Sequence, residues 1–142
     1  MNALKIGETE KKLLDASLTA LKNAYVLWGF KVGAAVVAED GQVYEGCNVE
    51  SWISGLGICA ERNAINHAVL HGNRKIKEIA IVMDASSQRT TRPCGACLQY
   101  IYDFAGSPKT KVLMARAENG KVLSETVEIR TVEELLPFPY RR

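Results

Sequence analysis

Residues 59–83 read CAERNAINHAVLHGNRKIKEIAIVM, and this stretch decides the fold because a helix is followed directly by a buried strand. Over residues 60–71, apolar side chains recur with the 3.6-residue period of an amphipathic helix. That face comprises Ala60, Ala64, Ile65, Ala68 and Val69. Gly72-Asn73 ends the helix, and the apolar run at 78–83 is typical of a buried strand. A helix packed on such a strand is the basic unit of an α/β layered domain.

The rest of the chain extends this pattern on both sides. Further helices are predicted at 8–25, 94–105 and 131–136, and further strands at 32–38, 42–48, 111–117 and 121–129. We expect Gly29 to end the first helix, Asp40-Gly41 and Asn119-Gly120 to form hairpin turns, and loops at 51–58 and 84–93. The order predicts an α/β fold of three α-β-α layers with a five-stranded mixed sheet, in a single domain over residues 1–142.

Composition narrows the class of protein. With 47% hydrophobic and 24% charged residues, the chain is typical of a globular domain. Its net charge of +2 does not favour a nucleic-acid partner, and no apolar run reaches the roughly 20 residues of a membrane helix. The N-terminus is charged and lacks the apolar block of a signal peptide. We therefore expect a cytoplasmic protein, in which four cysteines indicate metal binding, catalysis or core packing before disulfides.

Three of these cysteines indicate a zinc site. Cys94 and Cys97 are three residues apart at the start of a predicted helix, and Cys59 stands at the start of another. Helix N-termini stabilise thiolates, because they present free N–H groups and partial positive charge. Three protein ligands leave one position open for water, as in catalytic zinc sites. Cys47 is expected to be a buried strand residue, and His67 and His71 an ordinary pair on one helix face.

Glu61 adds an acid–base group beside the predicted metal. A carboxylate there can take a proton from water and later deliver one to a leaving amine. The whole pattern is C-A-E at 59–61, then P-C-x-x-C at 93–97. It matches the signature of zinc-dependent nucleoside deaminases in the variant with three cysteine ligands.

The chain resembles the small single-domain cytidine deaminases. Matching segments are FKVGAAV (30–36), YEGCNVE (44–50), CAERNAI (59–65), RPCGACLQ (92–99) and EELLPFPY (133–140). The resemblance implies that Phe30 packs on the pyrimidine, that Asn48 and Glu50 hold the ribose 3′-hydroxyl, and that the backbone at Ala60 contacts the base. It also implies that Arg62 donates to a thiolate sulfur, which fits the net negative charge of zinc with three thiolates.

The resemblance further implies a zinc-dependent hydrolytic deaminase of cytidine and 2′-deoxycytidine, with one zinc ion per subunit in a homotetramer. The chain departs from the family pattern at Trp28 and at residues 51–54 (SWIS). Those departures leave a deaminase of a modified cytosine nucleoside, such as blasticidin S, as an alternative. Two others are a polynucleotide deaminase, which typically uses H-x-E, and a non-catalytic binding module stabilised by zinc with a fourth protein ligand.

Overall fold

A five-stranded sheet forms the centre of the protein, in a computed structural model that describes residues 6–84 and 91–141. The helices are α1 (Glu8–Leu21), α2 (Ala60–Leu70), α3 (Gly95–Phe104) and α4 (Val132–Leu135), with one 3-10 turn at Ser54–Leu56. The strands are β1 (Val32–Ala38), β2 (Val43–Cys47), β3 (Ile76–Asp84), β4 (Lys111–Glu118) and β5 (Lys121–Thr131). This is the predicted order of elements.

The strands lie in the order β2-β1-β3-β4-β5. Among the described strands, β3 and β4 run parallel, and the other neighbouring pairs are antiparallel. Parallel strands need a long crossover, and α3 lies within the connection between β3 and β4. Tight turns join the two hairpins: Gly41 has a φ of +81°, while Asn119 and Gly120 have φ of 52° and 76°. The mixed sheet and both hairpin turns are therefore confirmed.

Helices cover both faces of the sheet, which confirms the three layers. On one face, α1 packs through Leu13 and Leu14 against strand residues that include Ala35 and Leu113. On the other face, α2 and α3 pack against the alternate strand residues, among them Val36, Ile81 and Met114.

Two glycines permit the close approach of these helices. A Cβ at Gly33 would stand 1.9 Å from the backbone oxygen of Ser17 in α1, and one at Gly46 would stand 2.4 Å from the backbone nitrogen of Ala64 in α2. The spacing of α2 from β2 therefore depends on a missing side chain.

The prediction for the end of α1 is wrong. The helix stops at Leu21 rather than continuing to residue 25, and Gly29 lies well beyond it. Tyr25 is half-exposed and forms a bridge with Val49: its N–H donates to the Asn48 carbonyl at 3.1 Å and its own carbonyl accepts from Glu50 at 2.8 Å. This long-range pairing overrides the helical period.

Other boundaries shift by one or two residues. β3 is longer than predicted, and β5 continues to Thr131, which then caps α4 by accepting from the N–H of Glu134 at 3.3 Å. The predicted loop at 84–93 falls largely on residues 85–90, which lie outside the described residues. In the described part of the chain, no helix combines the length and the apolar character that crossing a bilayer requires.

A carboxyl pair links α1 to the sheet and makes stability sensitive to pH. Burial, and then a hydrogen bond with the Glu10 carboxyl, raise the pKa of Glu78 to about 7 from an ordinary value of 4.5, although Lys111 lies 3.8 Å away. A folded-state pKa above the unfolded value means that the stabilisation is complete below about pH 4.5 and is lost as pH rises to about 7.

Glu78→Gln should remove the loss of stability between about pH 4.5 and 7. We expect the wild type to lose ~1–2 kcal/mol of unfolding free energy relative to Glu78→Gln between pH 4.5 and 7. Urea denaturation at several pH values measures the difference. A constant difference between the two proteins across this range would show that the pair does not couple folding to proton binding.

Candidate metal and substrate site

The N-termini of α2 and α3 carry two of the predicted ligands. Cys59 is the N-cap residue of α2, and Cys94 is the N-cap residue of α3. Neither side chain caps its own helix by a hydrogen bond, so both sulfurs are left for other partners. Cys97 lies in the first turn of α3 and is fully buried. Both helices thus direct partial positive charge towards the cysteines.

Two of the three cysteines, Cys59 and Cys97, interact directly. The thiol of Cys97 and the sulfur of Cys59 hydrogen-bond each other, and this contact lowers the pKa of Cys59 and raises that of Cys97. Cys94 is exposed, and its charge adds to the raised pKa of Cys97. Within residues 6–84 and 91–141, no three Cys, His, Asp or Glu side chains are already arranged to hold a metal ion.

The surroundings of the sulfurs nevertheless fit a cation with thiolate ligands. Nη2 of Arg62 donates to Sγ of Cys59 at 3.5 Å, and its bond to this sulfur raises the pKa of the guanidinium. The buried Nε of Arg62 has no hydrogen-bond partner among the described residues. A buried donor without a partner is costly. Beyond the hydrogen bond with Cys97, the guanidinium charge beside Cys59 also lowers the pKa of that thiol, which favours the thiolate form that binds a cation.

Glu61 lies beside these sulfurs and is only 5% exposed. Burial is the main reason that its pKa is raised, and the charge of Cys59 adds to the effect. A residue two positions after Cys59 shares its site because Cys59 precedes the first helical turn, in extended backbone with ψ of 153°. The structure thus brings Glu61 together with Cys59 and Cys97, as the motif predicts.

Cys47 is separate from this group. It ends β2 and is partly buried, and burial raises the pKa of its thiol. Its backbone carbonyl accepts from Nδ2 of Asn63 at 2.8 Å. The strand position agrees with the expectation, whereas the side chain is partly rather than fully buried.

Asn48 and Glu50 form the opposite wall, and both are held by backbone groups. Oδ1 of Asn48 accepts from the N–H of Val32 at 2.9 Å, and its Nδ2 donates to the Phe30 carbonyl at 2.8 Å. Oε1 of Glu50 accepts from the N–H groups of Leu27 at 2.6 Å and Trp28 at 2.7 Å.

The Gly29 N–H also donates to Glu50, at 3.2 Å to Oε2. These donors, Trp28 first, lower the pKa of the Glu50 carboxyl. The two side chains therefore shape the segment that presents Phe30.

A cleft of about 560 Å³ is lined by Cys59 and Cys94 as well as by this wall. Its volume lies within the range of about 300–1,000 Å³ usual for small-molecule sites. A cavity of about 720 Å³ beside Tyr102 and Tyr140 is larger, but no cysteine lines it, so we place the site in the smaller cleft. The cleft is lined by Trp28, Gly29, Phe30, Val32, Asn48, Glu50, Cys59, Ala60, Glu61, Met83, Arg92, Pro93 and Cys94.

Six lining residues were not among the predicted site residues, namely Trp28, Gly29, Val32, Met83, Arg92 and Pro93. Trp28 stands at the rim, 61% exposed, with Trp52 edge-on at a centroid distance of 5.6 Å. Met83 comes from the end of β3, and Arg92 pairs with Glu128 at 3.1 Å. The position of Arg92 just before P-C-x-x-C was a usable signal, whereas nothing local to Met83 indicates a pocket.

Comparison with a family model shows which protein family the chain belongs to. The model for the cytidine and deoxycytidylate deaminase zinc-binding region matches residues 7–114, more than half of the chain. The chain belongs to this deaminase family. The match spans both cysteine motifs, Glu61 and the Asn48–Glu50 wall.

Relatives and solved structures of the family resemble the chain over most of its length. A cytidine deaminase of Sporosarcina psychrophila is 39% identical over 93% of this chain and 91% of its own. A blasticidin-S deaminase of Bacillus cereus is 29% identical over 100% of this chain and 99% of its own. The crystal structure of cytidine deaminase from Burkholderia pseudomallei has a TM-score of 0.79 and 34% identity, covering 92% of this chain and 98% of that one. The predicted deaminase fold is confirmed.

Proposed function

We propose that this deaminase hydrolyses cytidine and 2′-deoxycytidine to uridine or 2′-deoxyuridine and ammonia, as a step of pyrimidine salvage. The observation that carries the proposal is one buried carboxyl, Glu61, beside the Cys59–Cys97 pair in a cleft whose far wall is Phe30, Asn48 and Glu50. The cytidine deaminases of similar sequence and structure support it.

Cys59, Cys94 and Cys97 would hold one zinc ion per subunit. Thiolate ligands at two helix N-termini, with Arg62 on one sulfur, suit that ion. When bound, zinc supplies Lewis-acid chemistry, which makes water a nucleophile near neutral pH.

Glu61 moves the protons of the reaction. It takes one proton from the attacking water and passes it to ring N3, while the water oxygen bonds to C4. It then takes the second proton of that water and gives it to the amino group, whose bond to C4 breaks. The products are uridine, with N3 protonated and a carbonyl at C4, and NH₃. A buried carboxyl suits this role because it accepts and returns protons without competing solvent.

The far wall orients the nucleoside. Phe30 packs on the pyrimidine, the backbone at Ala60 contacts the base, and Asn48 and Glu50 bind the ribose 3′-hydroxyl. Ionised Glu50 has about four acceptor positions. Oε2 accepts from the Gly29 N–H, so this oxygen retains capacity for a hydroxyl donor.

A substrate panel tests the proposal. The zinc-loaded protein is incubated with cytidine, 2′-deoxycytidine, cytosine, adenosine and blasticidin S, and ammonia release is followed. Rapid turnover of the two cytosine nucleosides is expected. Preference for blasticidin S would establish the alternative that Trp28, Trp52 and the B. cereus relative favour. No turnover of any compound would favour the other alternative, a non-catalytic binding module stabilised by zinc.

Glu50→Gln is expected to raise the KM for cytidine about 10- to 100-fold with a smaller effect on kcat. The substitution removes charge-assisted bonds to the 27–29 amides and to the sugar, each worth about 1.5–3 kcal/mol. Steady-state kinetics measure it, with Glu45→Gln on exposed β2 surface as the matched control. Equal KM values for both variants would remove Glu50 from the substrate site.

A homotetramer of single 1–142 domains is the proposed assembly. An apolar patch beside the cleft supports it, because surfaces of this kind usually mark interfaces. The exposed members are Tyr25, Trp28, Val49, Trp52, Ile53, Leu56 and Ile58. Light scattering should give four times the 15.6 kDa of one chain.

All four cysteines are free, which supports a cytoplasmic location.

A further inference from the structure

His67 and His71 lie at the opposite end of α2 from the cysteines. The twelve residues from Cys59 to His71 span about 18 Å of helix axis. His67 is partly buried and His71 exposed, and their ring centroids are 5.0 Å apart. Neither ring lines the candidate substrate cleft.

Hydrogen bonds fix the same tautomer in both neutral rings. Nδ1 of His67 lies 3.0 Å from the backbone carbonyl of Glu45, and Nδ1 of His71 lies 3.0 Å from the carbonyl of His67. A carbonyl oxygen only accepts, so each Nδ1 carries the proton and each Nε2 keeps its lone pair. Metal-binding histidines are commonly held in this way, with the second ring nitrogen donating to a carbonyl.

Tyr44 holds both rings in place. Its ring centroid lies 5.2 Å from that of His67 and 5.1 Å from that of His71. Tyr44 is itself buried, and its hydroxyl donates to Oδ2 of Asp40 at 2.5 Å. The two imidazoles are therefore ordered before any ligand arrives, which lowers the entropy cost of binding.

The ring separation matches a shared ion. A metal ion lies about 2.0–2.1 Å from an imidazole nitrogen and about 3.2 Å from the ring centroid, so tetrahedral angles give centroids about 5.2 Å apart. The observed 5.0 Å is close to this value. We propose that His67 and His71 form a second metal site, which binds a divalent transition-metal ion through both Nε2 atoms and water.

Calorimetric titration of the zinc-loaded protein with Ni²⁺ tests this site. One saturable Ni²⁺ per chain is expected, and Cu²⁺ should bind more tightly than Ni²⁺. His67→Gln and His71→Gln should each weaken Ni²⁺ binding at least tenfold, because either change leaves a single imidazole. Leu70→Gln, which alters an exposed side chain between them, is the matched control and should bind as the wild type does.

Deamination of cytidine and circular dichroism check that the variants fold, since neither histidine lies in the cleft. The proposal is overturned if the double variant binds Ni²⁺ as tightly as the wild type, or if only one single variant has an effect. Sulfur-to-metal charge-transfer absorption in the Ni²⁺ complex would also overturn it, because that band would place the ion on cysteines.

Discussion

Glu61→Gln is expected to lower kcat for cytidine by about 10²–10⁴-fold while the protein keeps its zinc. A positioned acid–base group contributes about this factor. Glutamine preserves the size of the side chain, but its amide does not ionise and therefore cannot act as the acid or the base. Because Glu61 is not one of the proposed ligands, metal content should not change. Ammonia release and elemental analysis of the same samples measure both quantities.

Stability separates this effect from misfolding. The pKa of Glu61 is raised chiefly by burial, so its charged form is disfavoured in the fold and a neutral amide should not lower the melting temperature. Glu125→Gln, on an exposed part of β5, provides the control with unchanged kcat. Near-full activity in Glu61→Gln with zinc bound would show that another group moves the protons.

Cys97→Ala is expected to reduce bound zinc from about one ion per chain to almost none, and to abolish deamination. Cys97 is fully buried and contacts Cys59, so its removal leaves at most two of the proposed sulfurs. Two ligands do not make the three-ligand catalytic site. Zinc is measured on protein purified without added metal.

Cys47→Ala provides the matched control for the loss of a thiol. Its side chain is partly buried at the end of β2, apart from the other three cysteines, and we expect full zinc content and activity. Loss of zinc from Cys47→Ala would reveal a fourth sulfur ligand. That result would favour a closed structural site and contradict the proposed hydrolase.

Periodicity and turn residues predicted most of the architecture. The buried run of β1 and the positive φ at Gly41, Asn119 and Gly120 follow from short stretches of sequence. The end of α1 did not, because the pairing of Tyr25 with Val49 joins segments 24 positions apart. The periodicity of a short segment contains no information about a pairing partner so far away in the sequence.

The candidate site shows the same division. The fold brings Cys59, Cys97, Glu61 and Arg62 together, as the sequence motifs predicted. Sequence did not reveal that Glu50 accepts from three consecutive amides, because those donors are backbone groups carried by residues of any type. Nor did it reveal Met83 in the cleft, since the end of a buried strand resembles core until the neighbouring elements are placed.

The hydrogen bonds between Glu50 and the backbone amides of residues 27–29 limit how the enzyme can change its preference for the sugar. In our proposal one carboxylate contacts the nucleoside and also stabilises the loop that leads to Phe30. Selection for a different sugar at this position therefore disturbs recognition of the base as well. New specificity is more accessible through Trp28 and Trp52, whose exposed rings can vary without unfolding that loop.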